Sequence, residues 1–127
     1  MPAPRALFCL CLALAACASG PTPVPAADPP VKPETLAACL ARKGAHLYGA
    51  SWCHWCHVQL ALFGSDAPQI PYTDCDPQGT LELLPECKAR GFGFDTPFPT
   101  WIFGDGTRIV GVRSPRWLAL RTGCPAP

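Results

Sequence analysis

Long apolar runs are missing from this 127-residue chain. The run at residues 6–16 is about eleven residues, whereas a helix crossing a bilayer needs about 20. No spanning helix is therefore expected. Charge is also scarce: ten basic residues face nine acidic ones, and losing Arg5 with an N-terminal signal would leave nine of each. A neutral chain offers no electrostatic hold on nucleic acid or anionic lipid. Methionine occurs once, as Met1, so a processed chain has no methionine to ligate a haem iron. No second Cys-x-x-Cys exists to complete a four-ligand zinc site with Cys53 and Cys56. His54 and His57 share one turn with those cysteines and cannot easily close a tetrahedron around a metal. No internal repeat is present.

The chain does hold Ser51-Trp52-Cys53-His54-Trp55-Cys56-His57. A short apolar segment at 45–50 precedes it and an apolar-rich stretch at 58–63 follows. Read as strand, turn and helix, this puts Cys53 at a helix N-terminus and Cys56 one turn further along the same face. Cysteines so placed have pKa values of roughly 3.5–7.5, against about 8.5 for a free thiol. Such a thiolate is both a nucleophile and a good leaving group, as thiol–disulfide exchange requires. Of the two histidines, His54 inside the ring is better placed to favour the Cys53 thiolate, and His57 reads as a helix-surface residue.

The N-terminal 16 residues carry one charge before the apolar run and read as a signal peptide. Their end, Leu14-Ala15-Ala16-Cys17, resembles the lipobox of bacterial lipoproteins, which implies a lipidated Cys17 as the first mature residue. The alternative is an ordinary signal peptide with Cys17 incidental. Ala18 rather than Asp in the next position implies the outer membrane under that family's sorting rule. Residues 17–33 include Pro21, Pro23, Pro25, Pro29, Pro30 and Pro33, a composition that forms an extended tether of about 3 Å per residue. Residues 34–127 then make one small folded domain.

Nine cysteines are present. Cys9 and Cys11 leave with the signal and Cys17 is the lipid candidate. Six remain, an even number that in a small exported domain implies disulfides. Pairing Cys53 with Cys56 leaves three ways of joining the others; Cys75–Cys87 with Cys39–Cys124 is the preferred one.

Helices are expected at 34–43, 53–63, 80–90 with a break at Pro85, and 114–120, and strands at 45–50, 70–75, 98–103 and 107–112. Gly44 and Gly64 stop the first two helices. Gly104-Asp105-Gly106 signals a hairpin, and Ser114-Pro115 a capped helix start. Tyr48, Trp101, Phe103 and Trp117 read as core, His46 as a strand residue, and Asp74, Asp76 and Asp95 as solvated loop residues. The order βαβ, hairpin, helix fits an α/β fold: a mixed central sheet with helices on both faces.

The Trp-Cys-x-x-Cys turn, Phe98-Pro99-Thr100 and the closing hairpin and helix resemble the thioredoxin fold. The likeness is closer to the thioredoxin-like domain attached to bacterial homologues of vitamin K epoxide reductase. It rests on Leu47-Tyr48-Gly49-Ala50, Trp52-Cys53, Leu62-Phe63-Gly64, Pro71-Tyr72, Glu86-Cys87, Pro99-Thr100-Trp101-Ile102 and Gly111-Val112-Arg113-Ser114. The resemblance implies a cis-proline at Pro99 beside the active cysteines. Pro99 and the Thr100 backbone would then align a partner's extended segment. It also implies a second cysteine pair at Cys75 and Cys87; Cys39 and Cys124 lie outside the family pattern. His54-Trp55 departs from strongly oxidising members, which usually carry histidine second.

The resemblance implies an exported thiol–disulfide oxidoreductase of the bacterial cell envelope, facing the periplasm. Its partners would be exported cysteine-containing proteins and a membrane quinone-linked disulfide partner, with no cofactor of its own. Cys53 would form the mixed disulfide and Cys56 resolve it. Trp52 and Trp55 would form an apolar collar for docking, although Trp52 also fits an ordinary packing role. A periplasmic reductase or isomerase is the enzymatic alternative. Outside enzymes, Cys53-His54-Trp55-Cys56-His57 also fits c-type haem attachment, and a binding module with a structural disulfide is a further reading.

Overall fold

Thr35 opens the first helix, its hydroxyl accepting the Ala38 N–H at 3.1 Å. Helix α1 (Leu36–Arg42) buries Leu36, Ala37, Cys39 and Leu40 and stops before Gly44, whose φ of +76° suits glycine. This computed structural model describes residue 20 and residues 32–127. The expected signal peptide, Cys17 and most of the tether lie outside the described residues.

Strand β1 (His46–Gly49) leads into α2 (His54–Ala61), followed by a 3-10 helix (Gly64–Gln69). Then come β2 (Tyr72–Asp74), α3 (Pro85–Ala89), β3 (Thr100–Ile102), β4 (Arg108–Val110) and α4 (Pro115–Thr122). The sheet order is β2-β1-β3-β4, with β1 and β2 parallel and the other neighbours antiparallel.

Alternation along the strands separates two cores. Leu47 and Trp101 face Leu36, Leu40, Leu118 and Ala119 of α1 and α4. Tyr48 and Ile102 face Leu83, Phe92 and the cysteines Cys75 and Cys87. The expected architecture, one mixed sheet with helices on both faces, is what the chain forms.

Two disulfides brace it. Cys39–Cys124 ties α1 to the segment after α4 across 85 residues, a loop whose closure contributes about 4–5 kcal/mol. Cys75–Cys87 ties the end of β2 to α3 across 12 residues and contributes about 3 kcal/mol.

Several local expectations are corrected. Residues 80–84 are not helical: the Thr80 and Leu81 amides turn to the buried Asp76 carboxylate, the Glu82 amide to the Thr80 hydroxyl and the Leu84 amide to the Cys75 carbonyl. Gly64 does not simply end α2, because a 3-10 helix continues from it. Trp117 is 36 % exposed: it lies at the edge of the core against Phe103, beneath the Arg113 guanidinium.

Candidate active site

Cys53 is the N-cap of α2: its sulfur accepts the Cys56 N–H at 3.2 Å and its carbonyl takes the same amide at 3.1 Å. A helix start directs unpaired N–H groups toward this position, an arrangement suited to negative charge. Cys53 keeps 6 % of its surface exposed and Cys56 none. Both are unbridged here. Cys53 is thus the sulfur an incoming group can reach, and Cys56 waits beneath it. Burial, and then its hydrogen bond with Cys53, push the Cys56 thiol up to about 12. A backbone hydrogen bond with Ala50 opposes these effects without cancelling them.

The two sulfurs pack with Ala50 and against Phe98. Phe98–Pro99 is a cis peptide, and Pro99 and Thr100 are buried. The Pro99 carbonyl accepts from Gly111 and the Thr100 hydroxyl donates to Pro97, which fixes this loop next to the cysteine turn. Trp52 and Trp55 flank the site with 54 % and 60 % of their surface exposed. Trp52 also lines a shallow pocket of about 110 Å³ with Leu81, Leu83, Phe94 and Phe98.

Neither histidine of the motif hydrogen-bonds a sulfur within the described residues. The His54 ring stands edge-on to Trp55 at 5.2 Å. His57 Nε2 instead meets the Ser51 carbonyl at 2.9 Å and braces the turn.

Sequence reading missed three residues. Asp76 is wholly buried rather than solvated. Its Oδ2 accepts from the Trp52 indole at 2.8 Å and the Leu81 amide at 2.9 Å, and its Oδ1 from the Thr80 amide at 2.9 Å. Burial raises its pKa, but the Trp52, Leu81 and Thr80 donors outweigh that and hold the carboxyl below its usual range. No local signal marks this role, because its partners lie up to 24 residues away. Gln59 lies three residues after Cys56 and hence on its helix face, which was a signal available in the sequence. Its amide accepts from the Arg113 and Trp101 N–H groups and donates to the Arg113 carbonyl, locking α2 to the segment after β4. The third, Tyr72, reaches the buried side of the cysteine pair.

No family model matches the chain. Over 71 residues, 55% of its length, it is 38% identical to the thiol-disulfide oxidoreductase LTO1 of Arabidopsis thaliana. It spans 19% of that relative's length. A dithiol at a helix start, next to a buried X-Pro loop and on a four-stranded mixed sheet, accords with that similarity: the chain has a thioredoxin-like fold.

Proposed function

We propose that this protein is a thiol–disulfide oxidoreductase that exchanges disulfides with protein substrates through Cys53 and Cys56. The observation that carries this reading is the unequal burial of the two cysteines, with Cys53 keeping a small exposed surface at the helix start and capped by a helix amide, and Cys56 fully sealed. In the reducing direction, the Cys53 thiolate attacks a substrate disulfide. One substrate sulfur leaves as thiolate and the other stays bonded to Cys53. Cys56 then loses its proton and attacks Cys53, freeing the second substrate sulfur and closing the Cys53–Cys56 bond. Oxidation of a substrate dithiol runs these steps in reverse.

Exposed Trp52 and Trp55 supply an apolar collar for the polypeptide that carries the substrate cysteine. Pro99 and Thr100 would align its extended backbone. The likeness to domains joined to vitamin K epoxide reductase homologues supports net oxidation of exported proteins, with electrons passing to a membrane quinone-linked partner. The Leu14-Ala15-Ala16-Cys17 run supports export and a lipid anchor at Cys17, in the outer membrane by the sorting rule. Haem attachment is disfavoured, because thioether bonds would require both sulfurs to face a porphyrin, whereas Cys56 has no exposed surface.

The purified protein should reduce insulin with a thiol donor or oxidise a reduced protein when itself oxidised. Cys53→Ser should abolish both activities, and Cys56→Ser should accumulate mixed disulfides. Full activity in Cys53→Ser sinks this mechanism. Intact-mass measurement of the native protein tests the anchor: an unmodified N-terminus rules out lipidation.

A further inference from the structure

The sulfur that must release a proton during the second step is the one with no access to water. Cys56 is fully buried and its thiol holds its proton strongly. The structure provides a group beside it. Gly49 has no side chain, and Tyr72 and Cys56 converge on the space this leaves. A Cβ built at Gly49 would lie 2.6 Å from Tyr72 Oη and 2.7 Å from Cys56 Sγ. Hydroxyl and sulfur therefore crowd one point below the active turn.

Among the described residues, Tyr72 Oη has no hydrogen-bond partner. Tyr72 is only partly buried, which leaves its side chain a route to solvent. The side chain packs against the core that holds Leu47 and Trp101, as do Leu60 and Phe63. Burial, followed by the nearby Cys56 and Asp74, drives the phenol well above its ordinary range. Tyr72 thus stays protonated and cannot act as a free base. The other titratable groups acting on Cys56 are Cys53 and the Asp74 carboxylate, which also disfavours the thiolate.

We propose that Tyr72 is the proton relay for Cys56: its hydroxyl receives the Cys56 proton while its own proton passes to solvent. The phenol remains neutral throughout and ends as a hydrogen-bond donor to the attacking sulfur. The S–S bond between Cys53 and the substrate breaks, the Cys53–Cys56 bond forms, and the substrate thiolate leaves. No further oxidant or reductant is involved. This deepens the proposed function and rests on Cys56 acting as the resolving thiol.

Dithiobis-nitrobenzoate separates the two steps. Cys53 attack releases one nitrothiolate, and Cys56 attack on the resulting mixed disulfide releases a second. In Tyr72→Phe the first release should stay within about twofold of wild type. The second should slow by about 100-fold near neutral pH, the lower end of general acid–base contributions. The gap should narrow as pH rises and hydroxide takes the Cys56 proton unaided. Equal second phases at all pH values overturn the relay. Equal slowing of both phases also overturns it, because that marks a packing role. Absence of a second phase in wild type overturns it too, since Cys56 then does not resolve. The reagent requires no protein substrate, so failure of the broader reading appears separately, as lack of turnover on insulin with both releases intact.

Discussion

The Trp52 indole nitrogen donates to the buried carboxylate of Asp76 at 2.8 Å. Through this bond an exposed ring beside the reactive cysteine is anchored to the loop that carries Leu81. Asp76 also holds the Thr80 and Leu81 amides, and Leu81 adopts a φ of +64° unusual for a leucine. One carboxylate therefore sets the shape of both walls of the pocket beside the active site.

Asp76→Asn should loosen this arrangement, because one acceptor oxygen becomes an amide that faces other donors. The melting temperature should fall by roughly 5 °C, and Trp52 fluorescence should shift toward that of a solvated indole. Exchange with protein substrates should slow more than reaction with a small disulfide, since the collar and not the sulfur is disturbed. Unchanged melting and fluorescence would show that the Asp76 bonds carry no weight.

Gly49→Ala should be costly although glycine is not required there by a positive φ. The added methyl would sit 2.6 Å from Tyr72 Oη and 2.7 Å from Cys56 Sγ, so one of them must move. Overpacking of this kind costs about 1–3 kcal/mol. Denaturant unfolding of the reduced protein reads the loss, and a variant as stable as wild type contradicts the close packing described.

The disulfides should respond to reductant in order. Cys75 and Cys87 are fully buried, so that bridge should survive mild reductant that keeps Cys53 and Cys56 reduced, whereas Cys39–Cys124, whose Cys124 is only partly buried, should open before it. Alkylation under native conditions, followed by peptide mass mapping, should label Cys53 first. Removing Cys39–Cys124 as a double alanine variant should destabilise the protein by about 4 kcal/mol, more than removing Cys75–Cys87 at about 3 kcal/mol, because it closes the longer loop. Equal labelling of all six cysteines would count against this order.

Alkaline pH should destabilise the reduced protein. An unfolded cysteine releases its proton near pH 8.5, while Cys56 in the fold keeps its proton up to about 12. Between these values the unfolded chain binds fewer protons, so stability is fully present below that range and falls as pH rises through it. Oxidation to the Cys53–Cys56 disulfide removes this titration, leaving the smaller alkaline effect of Tyr72, whose phenol is also raised. Thermal melts of both redox forms across this range test the point; parallel curves would refute it.

The sequence by itself determined the local features. Strand, cysteine turn and helix followed from apolar patterning around residues 45–63. Ser114-Pro115 marked the start of α4, and Gly104-Asp105-Gly106 the hairpin between β3 and β4. Gly44 marked the end of α1. Each is a matter of capping, turn chemistry or periodicity within a few residues, and such signals survive without tertiary context. Residues 80–84 show the limit of that logic: their composition favours helix, but the buried Asp76 carboxylate takes the Thr80 and Leu81 amides and the Cys75 carbonyl takes that of Leu84. Cysteine counting left three ways of joining four residues, and the choice among them required the end of α4 to be brought beside α1. His54 lies inside the cysteine turn, and the first turn of α2 sets its ring edge-on to Trp55. The meeting of Tyr72 with Cys56 depends on parallel pairing of β1 with β2, which sets Leu47 opposite Tyr72 and leaves Gly49 open between phenol and sulfur. Burial and hydrogen-bond partnership between distant residues are properties of the packed sheet and helices, so only the tertiary structure could decide them.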